Sequence, residues 1–152
     1  MSVFTADNAA RLLDLLGKEQ EIFGQIRETT EKQTELIEAD DIEGFDKSLD
    51  SRQELIEKIN GLHQETELLM QSYMSYSTSH AGGKIEKIDK AIEQLQNTIA
   101  ECAKMNEKNT AAAKQRAEDY AERSGKLNIG RKSLGSYMQT VESNSEMFDK
   151  KM

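Results

Sequence analysis

One apolar face recurs between Ile85 and Tyr120, in alternating steps of three and four residues. This heptad spacing is typical of a helix that packs along its whole length against other helices. The positions on the face are Ile85, Ile88, Ile92, Leu95, Ile99, Cys102, Asn106, Asn109, Ala113, Arg116 and Tyr120. The 152 residues contain no proline, so no residue forces a helix to end. The sequence therefore predicts long amphipathic helices and no sheet.

Two further helices are predicted before this one. Asp40 and Asp41 suit a helix N-terminus, and the polar, glycine-ended segment 77–83 predicts a turn. We expect an all-α fold: an elongated antiparallel bundle of three long helices, at about residues 6–39, 41–76 and 84–123, with a partly ordered C-terminal tail. On the second helix we expect Arg52 to lay its alkyl stem over the core and to point its guanidinium outward.

Residues 125–152 differ in composition from the bundle predicted for residues 1–124. Gly125, Gly130 and Gly135 recur every five residues, and each Gly in a helix costs about 1 kcal/mol relative to Ala. Between and after these glycines lie several apolar residues, among them Leu127, Ile129, Leu134, Tyr137, Met138 and Val141, and Met147 and Phe148 follow near the end. Two alternatives stay open, a short helix folded back on the bundle or a mobile segment that becomes ordered on a partner.

The formal charge of −8, from 28 acidic and 20 basic residues, argues against two classes of partner. An acidic chain repels phosphate backbones and anionic lipid surfaces, so we expect neither nucleic acid binding nor membrane insertion. The N-terminus shows no signal peptide and no stretch is long enough to span a bilayer, which predicts a cytoplasmic protein. The partner we expect is another protein, bound through apolar stripes.

Residues that could carry chemistry are few. Neither His63 nor His80 follows a Glu by three residues, so the Glu-x-x-His pairs of di-iron bundles are missing. Cys102 is the only cysteine, which excludes an internal disulfide, and its position on the apolar face predicts a small buried hydrophobe. We therefore expect no enzyme activity, no metal and no cofactor.

Asn106 and Asn109 interrupt the apolar face where a purely stabilising seam would hold Leu or Ile. A buried Asn can fix the register or the number of helices in a bundle. Alternatively, the face opens to solvent here and receives a partner, with Met105 beside it and Ala113 keeping the helix narrow for close approach. The residue pattern alone permits both interpretations.

Three stretches of this chain resemble a known family. The run Cys102-Ala-Lys-Met-Asn-Glu-Lys-Asn109 resembles the Leu-Asn-x-x-Asn segment of FlgN-type flagellar export chaperones, with Met105 in place of Leu. Residues 32–62 look like the part of FlgN and FliT chaperones in which a Lys-x-x-x-Leu-Ile…Asp element precedes an Arg-x-x-Leu-Ile helix. The matching residues are Lys32, Leu36, Ile37, Asp40, Asp41, Phe45, Arg52, Leu55 and Ile56. Gly125 to Tyr137 is similar to the basic, glycine-containing end of that family.

The resemblance implies a cytosolic chaperone of type III export, and a FlgN-like one in preference to FliT. Such chaperones hold helical C-terminal segments of hook–filament junction or filament-cap proteins and deliver them to the export apparatus. Together with the residue pattern, the resemblance assigns partner binding to Met105, Asn106, Asn109, Ala113, Leu127, Ile129, Leu134, Tyr137, Met138 and Val141. The alternatives are a structural coiled-coil or spectrin-like interaction module and a bundle enzyme with a core metal; a weak homodimer also stays open.

Overall fold

The computed structural model describes residues 4–124, which form three long helices and no strand. They are α1 (Ala6–Glu38), α2 (Ile42–Ser79) and α3 (Glu86–Ser124). At 1.5 Å per residue, helices of 33 to 39 residues are about 50 to 60 Å long. The predicted all-α class is confirmed, whereas the predictions made for residues 125–152 lie outside the described residues.

The turn between α1 and α2 begins where the acidic pair predicted it. Asp40 adopts a left-handed conformation with φ of 55°. Its N–H bonds to the Ile37 carbonyl and that of Asp41 to the Leu36 carbonyl, the pairing of a Schellman motif. Asp41 then caps α2, because its Oδ1 accepts the Gly44 N–H at 2.9 Å.

The end of α2 differs from the prediction, since the helix continues to Ser79 instead of ending near residue 76. Hydroxyl groups in the last turn donate back to carbonyls one turn earlier: Thr78 to Met74 at 3.0 Å and Ser79 to Ser75 at 2.7 Å. Side chains that were expected to favour a turn therefore bond within the helix. The chain reverses after His80 and includes Gly82, with φ of 74°.

The side chain of Tyr73, in α2, forms hydrogen bonds to the start of α3. Its hydroxyl accepts the Ile85 N–H at 2.8 Å and donates to Asp89 Oδ1 at 2.7 Å. The ring is fully buried. Burial, and to a smaller extent the hydrogen bond to Asp89, raises the pKa of the Tyr73 phenol. The hydroxyl therefore stays protonated and can act as a donor.

Helix α1 lies between the other two. It runs antiparallel to α2, since Phe4 contacts Tyr73 and Thr30 contacts Arg52. It runs parallel to α3, since Gln20 bonds to Thr98 and Thr34 to Asn109. By contrast, no Cα atoms of α2 and α3 approach within 8 Å of each other. The side of the bundle between α2 and α3 is therefore less tightly closed than the two sides that involve α1.

The buried apolar residues form two clusters of unequal size. The main cluster contains residues of all three helices, together with Phe4 before α1. Its buried members are Phe4, Leu12, Leu16, Phe23, Ile26, Ile56, Ile59, Tyr73, Ile88, Leu95, Ile99 and Cys102. The second cluster, at the end that holds the α1–α2 turn, has only Ile37, Phe45 and Leu49 buried, with Leu36 and Ala113 packed against them.

Candidate partner-binding surfaces

The two seam asparagines face the interior of the bundle. Asn106 is 4% exposed and Asn109 is 2% exposed. The Asn109 amide donates to the Thr30 carbonyl at 2.9 Å, and its oxygen accepts the Thr34 hydroxyl at 2.7 Å. The face of α3 is closed by α1 at this level, as the register interpretation expects.

These asparagines belong to a buried polar layer between the two apolar clusters. Gln33 and Arg52 are completely buried at this level too, and Arg52 Nε donates to the Thr30 hydroxyl at 3.2 Å. The expectation that the Arg52 guanidinium points outward is therefore wrong. A polar partner on α1 draws the side chain inward, and the whole residue is enclosed between the helices.

Met105 and Ala113 are the predicted site residues of α3 that keep some exposure, since both are half-buried. Met105 contributes to a surface cleft of about 250 Å³ between α1 and α3. The other lining residues are charged: Arg27, Glu31, Glu101, Lys104 and Lys108. Ala113 instead packs against the second apolar cluster, so the structure places these two residues in different surroundings.

The cleft at Met105 is crossed by an ion pair. Arg27 donates to Glu101 at 2.9 Å, and this hydrogen bond raises the pKa of the guanidinium. Both side chains are exposed, so the pair contributes little to stability. Such a mixed-charge cleft is suited to the polar edge of a bound helix.

A larger groove lies between α2 and α3, on the side that α1 does not close. Its volume is about 390 Å³ and its apolar lining comes from Leu16, Met70, Met74, Ile92, Leu95 and Ile99. The polar lining consists of His63, Glu67, Gln71, Ser75 and Gln96. The residue pattern of the sequence did not predict this groove. Residue spacing marks which residues face inward, yet it does not show which two helices stand apart.

His63 connects the groove to a buried carboxylate. Its Nδ1 lies 3.9 Å from Glu19 Oε1, and its Nε2 lies 3.7 Å from Glu67 Oε2. Glu19 is fully buried in α1, whereas Glu67 is about half exposed at the rim. Glu67 thus places a carboxylate at the rim of the groove, next to His63.

Cys102 is a buried thiol and not a reactive one. Burial raises its pKa to about 11, and Sγ contacts the Phe23 carbonyl oxygen at 3.7 Å. The thiolate, which is the nucleophile, is therefore suppressed at neutral pH. The prediction of a small buried hydrophobe is confirmed.

Residues 4–124 include no group of three or more His, Cys, Asp or Glu side chains placed to hold a metal ion. Within the same range, no helix combines the length and the apolar character that crossing a membrane requires. The predicted site residues Leu127, Ile129, Leu134, Tyr137, Met138 and Val141 lie outside the described residues.

The fold and its surfaces define an all-α bundle whose recesses are elongated clefts between helices, a form used to bind other helices. Residues 1–135 match the family described as FlgN protein, so the chain belongs to the FlgN family. It is a FlgN-type flagellar export chaperone, of a family that binds flagellar proteins. No curated protein and no solved structure matches it. The family match includes Leu127, Ile129 and Leu134 and stops before Tyr137.

Proposed function

We propose that this protein acts in the cytoplasm and binds helical C-terminal segments of hook–filament junction proteins, which it delivers to the export apparatus. Filament-cap proteins are the second client class. The proposal rests on the match to the FlgN family over residues 1–135. An elongated bundle with clefts between its helices is suited to lay a client helix along its surface. In this role the protein carries no catalytic, metal or cofactor site and binds no nucleic acid.

The proposed client surface joins the distal half of α3 to the tail. The residues that form or support it are Met105, Asn106, Asn109 and Ala113 with Leu127, Ile129, Leu134, Tyr137, Met138 and Val141. In this proposal the half-buried and the buried residues of α3 have different roles. Met105, half-buried in its charged cleft, touches the client, whereas Asn109 holds α3 in register against α1 through its bonds to Thr30 and Thr34, and Asn106 is buried one turn away.

A pull-down with the full chain as bait tests this function. Junction and cap subunits are the prey, and the matched bait carries Leu134→Ala, Tyr137→Ala and Met138→Ala together. We expect the wild-type bait to retain a junction subunit and the triple variant to retain much less, with an unchanged circular dichroism spectrum. Retention of no subunit by a folded wild-type bait would refute the function. Loss of helicity in the triple variant would instead make the tail part of the core.

A coiled-coil or spectrin-like module without a role in export is the competing function. It requires obligate self-association through the helix faces. Sedimentation of the purified chain distinguishes the two, because the export chaperone is expected to be a monomer or a weak homodimer. A tight dimer that captures no client would favour the module.

A further inference from the structure

We propose that the groove between α2 and α3 is a second docking site, which takes one amphipathic, basic-flanked helix of the exported client. The inference rests on the proposed chaperone function and adds a surface to it. This surface is separate from the distal half of α3, since its α3 residues are Ile92, Leu95, Gln96 and Ile99.

The packing of the bundle leaves this position open. Helix α1 contacts both other helices, whereas no Cα atoms of α2 and α3 approach within 8 Å. Leu16 of α1 contributes to the lining of the groove from between the two helices. A helix laid there would complete a four-helix arrangement, in which each helix packs against two neighbours.

The lining has the chemistry of a surface for an apolar helix face. Met70 and Met74 come from α2, and Ile92, Leu95 and Ile99 face them from α3. Met74 is 54% exposed, so its side chain is accessible to a partner helix. Methionine side chains adapt to different partner shapes, and they are over-used where one surface must accept varied helices.

The charged residues around the groove determine which kind of partner helix it favours. Residues 59–83 of α2 and the following turn contain no Lys or Arg, and neither do residues 91–103 of α3. The acidic residues in these two segments are Glu65, Glu67, Glu93 and Glu101. Glu65 and Glu101 bond to Arg11 and Arg27 of α1, whereas Glu67 lines the groove next to His63 and Glu93 is exposed on α3. A helix with Lys or Arg beside its apolar face is therefore favoured, and an acidic one is repelled.

The same charge argues against a second copy of this chain as the occupant. Each copy carries a formal charge of −8, and two acidic groove sides would face one another in a symmetric dimer.

The tail of the same chain is a distant occupant, because it begins after Ser124, at least 25 residues along α3 from Ile99. At 1.5 Å per residue this is about 38 Å, so the tail could reach the groove only by extending along the whole distal half of α3.

Two substitutions in α2 test the site. Met74→Asp places a carboxylate in the groove, whereas Leu68→Asp makes the same change at a position that is 61% exposed and does not line it. The probe is a synthetic peptide of the last 40 or so residues of a junction subunit, titrated against the full chain by calorimetry. We expect Met74→Asp to weaken binding by about tenfold or more, and Leu68→Asp to change it by less than about twofold.

The outcomes separate the two proposals. If the wild type binds the peptide and Met74→Asp binds it equally well, the groove site is refuted and the chaperone function stands. Equal weakening by both substitutions also refutes the groove, because it indicates a general charge effect. If the folded wild type binds no junction peptide, both proposals fall.

A fluorophore on Ser75→Cys identifies the occupant. Ser75 lines the groove and is exposed, and the native Cys102 does not compete for label because it is buried. We expect the emission to shift only when peptide is added. A shift with protein concentration alone would assign the groove to a second copy. A change caused by the Leu134, Tyr137 and Met138 triple substitution without peptide would assign it to the tail; either result overturns the proposal.

Discussion

Asn109 shows what a single polar residue does inside a seam of this kind. Its amide bonds to the Thr30 carbonyl and its oxygen to the Thr34 hydroxyl, so α3 meets α1 at one longitudinal position. A slip of α3 by one turn would leave this amide buried without those partners, at a cost of about 1 to 3 kcal/mol. The sequence placed Asn109 on the heptad face of α3 and left open whether that face is closed at this level. It did not reveal the partners, because they belong to a helix some 75 residues earlier in the chain.

Ionisation of the buried Cys102 thiol should lower the stability of the folded protein at alkaline pH. Its pKa is raised in the folded protein from 9.0 to about 11, because burial disfavours the thiolate. The unfolded thiol therefore ionises first, and the stabilisation present below pH 9 is lost as the pH rises to about 11. We expect the advantage of wild type over Cys102→Ala, measured by urea unfolding, to shrink by roughly 2 to 3 kcal/mol over this range. A constant difference across the range would contradict the assigned burial of the thiol.

At the scale of the helices, the caps were the most predictable features. Asp41 marked the start of α2 because its short acidic side chain bonds to the free backbone N–H of Gly44, and that bond is local. The end of α2 was less predictable, since Thr78 and Ser79 can bond either within the helix or within a turn. On the far side of the turn, the Tyr73 hydroxyl accepts the Ile85 N–H, a contact between residues 12 positions apart that local patterns do not predict.

Two glycines of α2 should respond oppositely to the same substitution. A Cβ on Gly44 would lie 2.5 Å from Asp41 Oδ2 and 2.8 Å from Leu36 Cδ2, so Gly44→Ala should disturb the helix cap. A Cβ on Gly61 would meet nothing within 4 Å. We expect Gly61→Ala to raise the free energy of unfolding by about 0.5 to 1 kcal/mol and Gly44→Ala to lower it by about 1 kcal/mol. Denaturant unfolding measures both, and equal gains would show that the cap adjusts without loss.

The whole molecule is unevenly stabilised along its length. The main apolar cluster occupies the half that holds the α2–α3 turn, whereas the second cluster has three buried apolar residues at the α1–α2 turn. The buried polar layer around Asn109 separates them. Periodicity predicted that the helices share a core, but not this division or the groove. Both depend on α1 standing between α2 and α3, which the spacing of residues within one helix does not encode.

Hydrogen exchange should report this division. We expect amides of α3 at residues 92–102 to exchange at the rate of global unfolding, and those at residues 110–122 to exchange faster through local opening. Amides of α1 at residues 12–26, which lie in the main cluster, serve as the protected reference. Uniform protection along α3 would contradict the division. A junction peptide bound to the distal half of α3 should slow exchange there.

The central place of α1 also sets the order in which the chain can fold. Contacts between α1 and α2 join residues such as Thr30 and Arg52, only 22 positions apart. Contacts between α1 and α3 join residues 74 to 79 positions apart, so they close much longer loops. We therefore expect the α1–α2 hairpin to form first and α3 to dock last. During synthesis, the side of α1 that packs against α3 would stay exposed to solvent until residues of α3 such as Ile99 and Cys102 had left the ribosome.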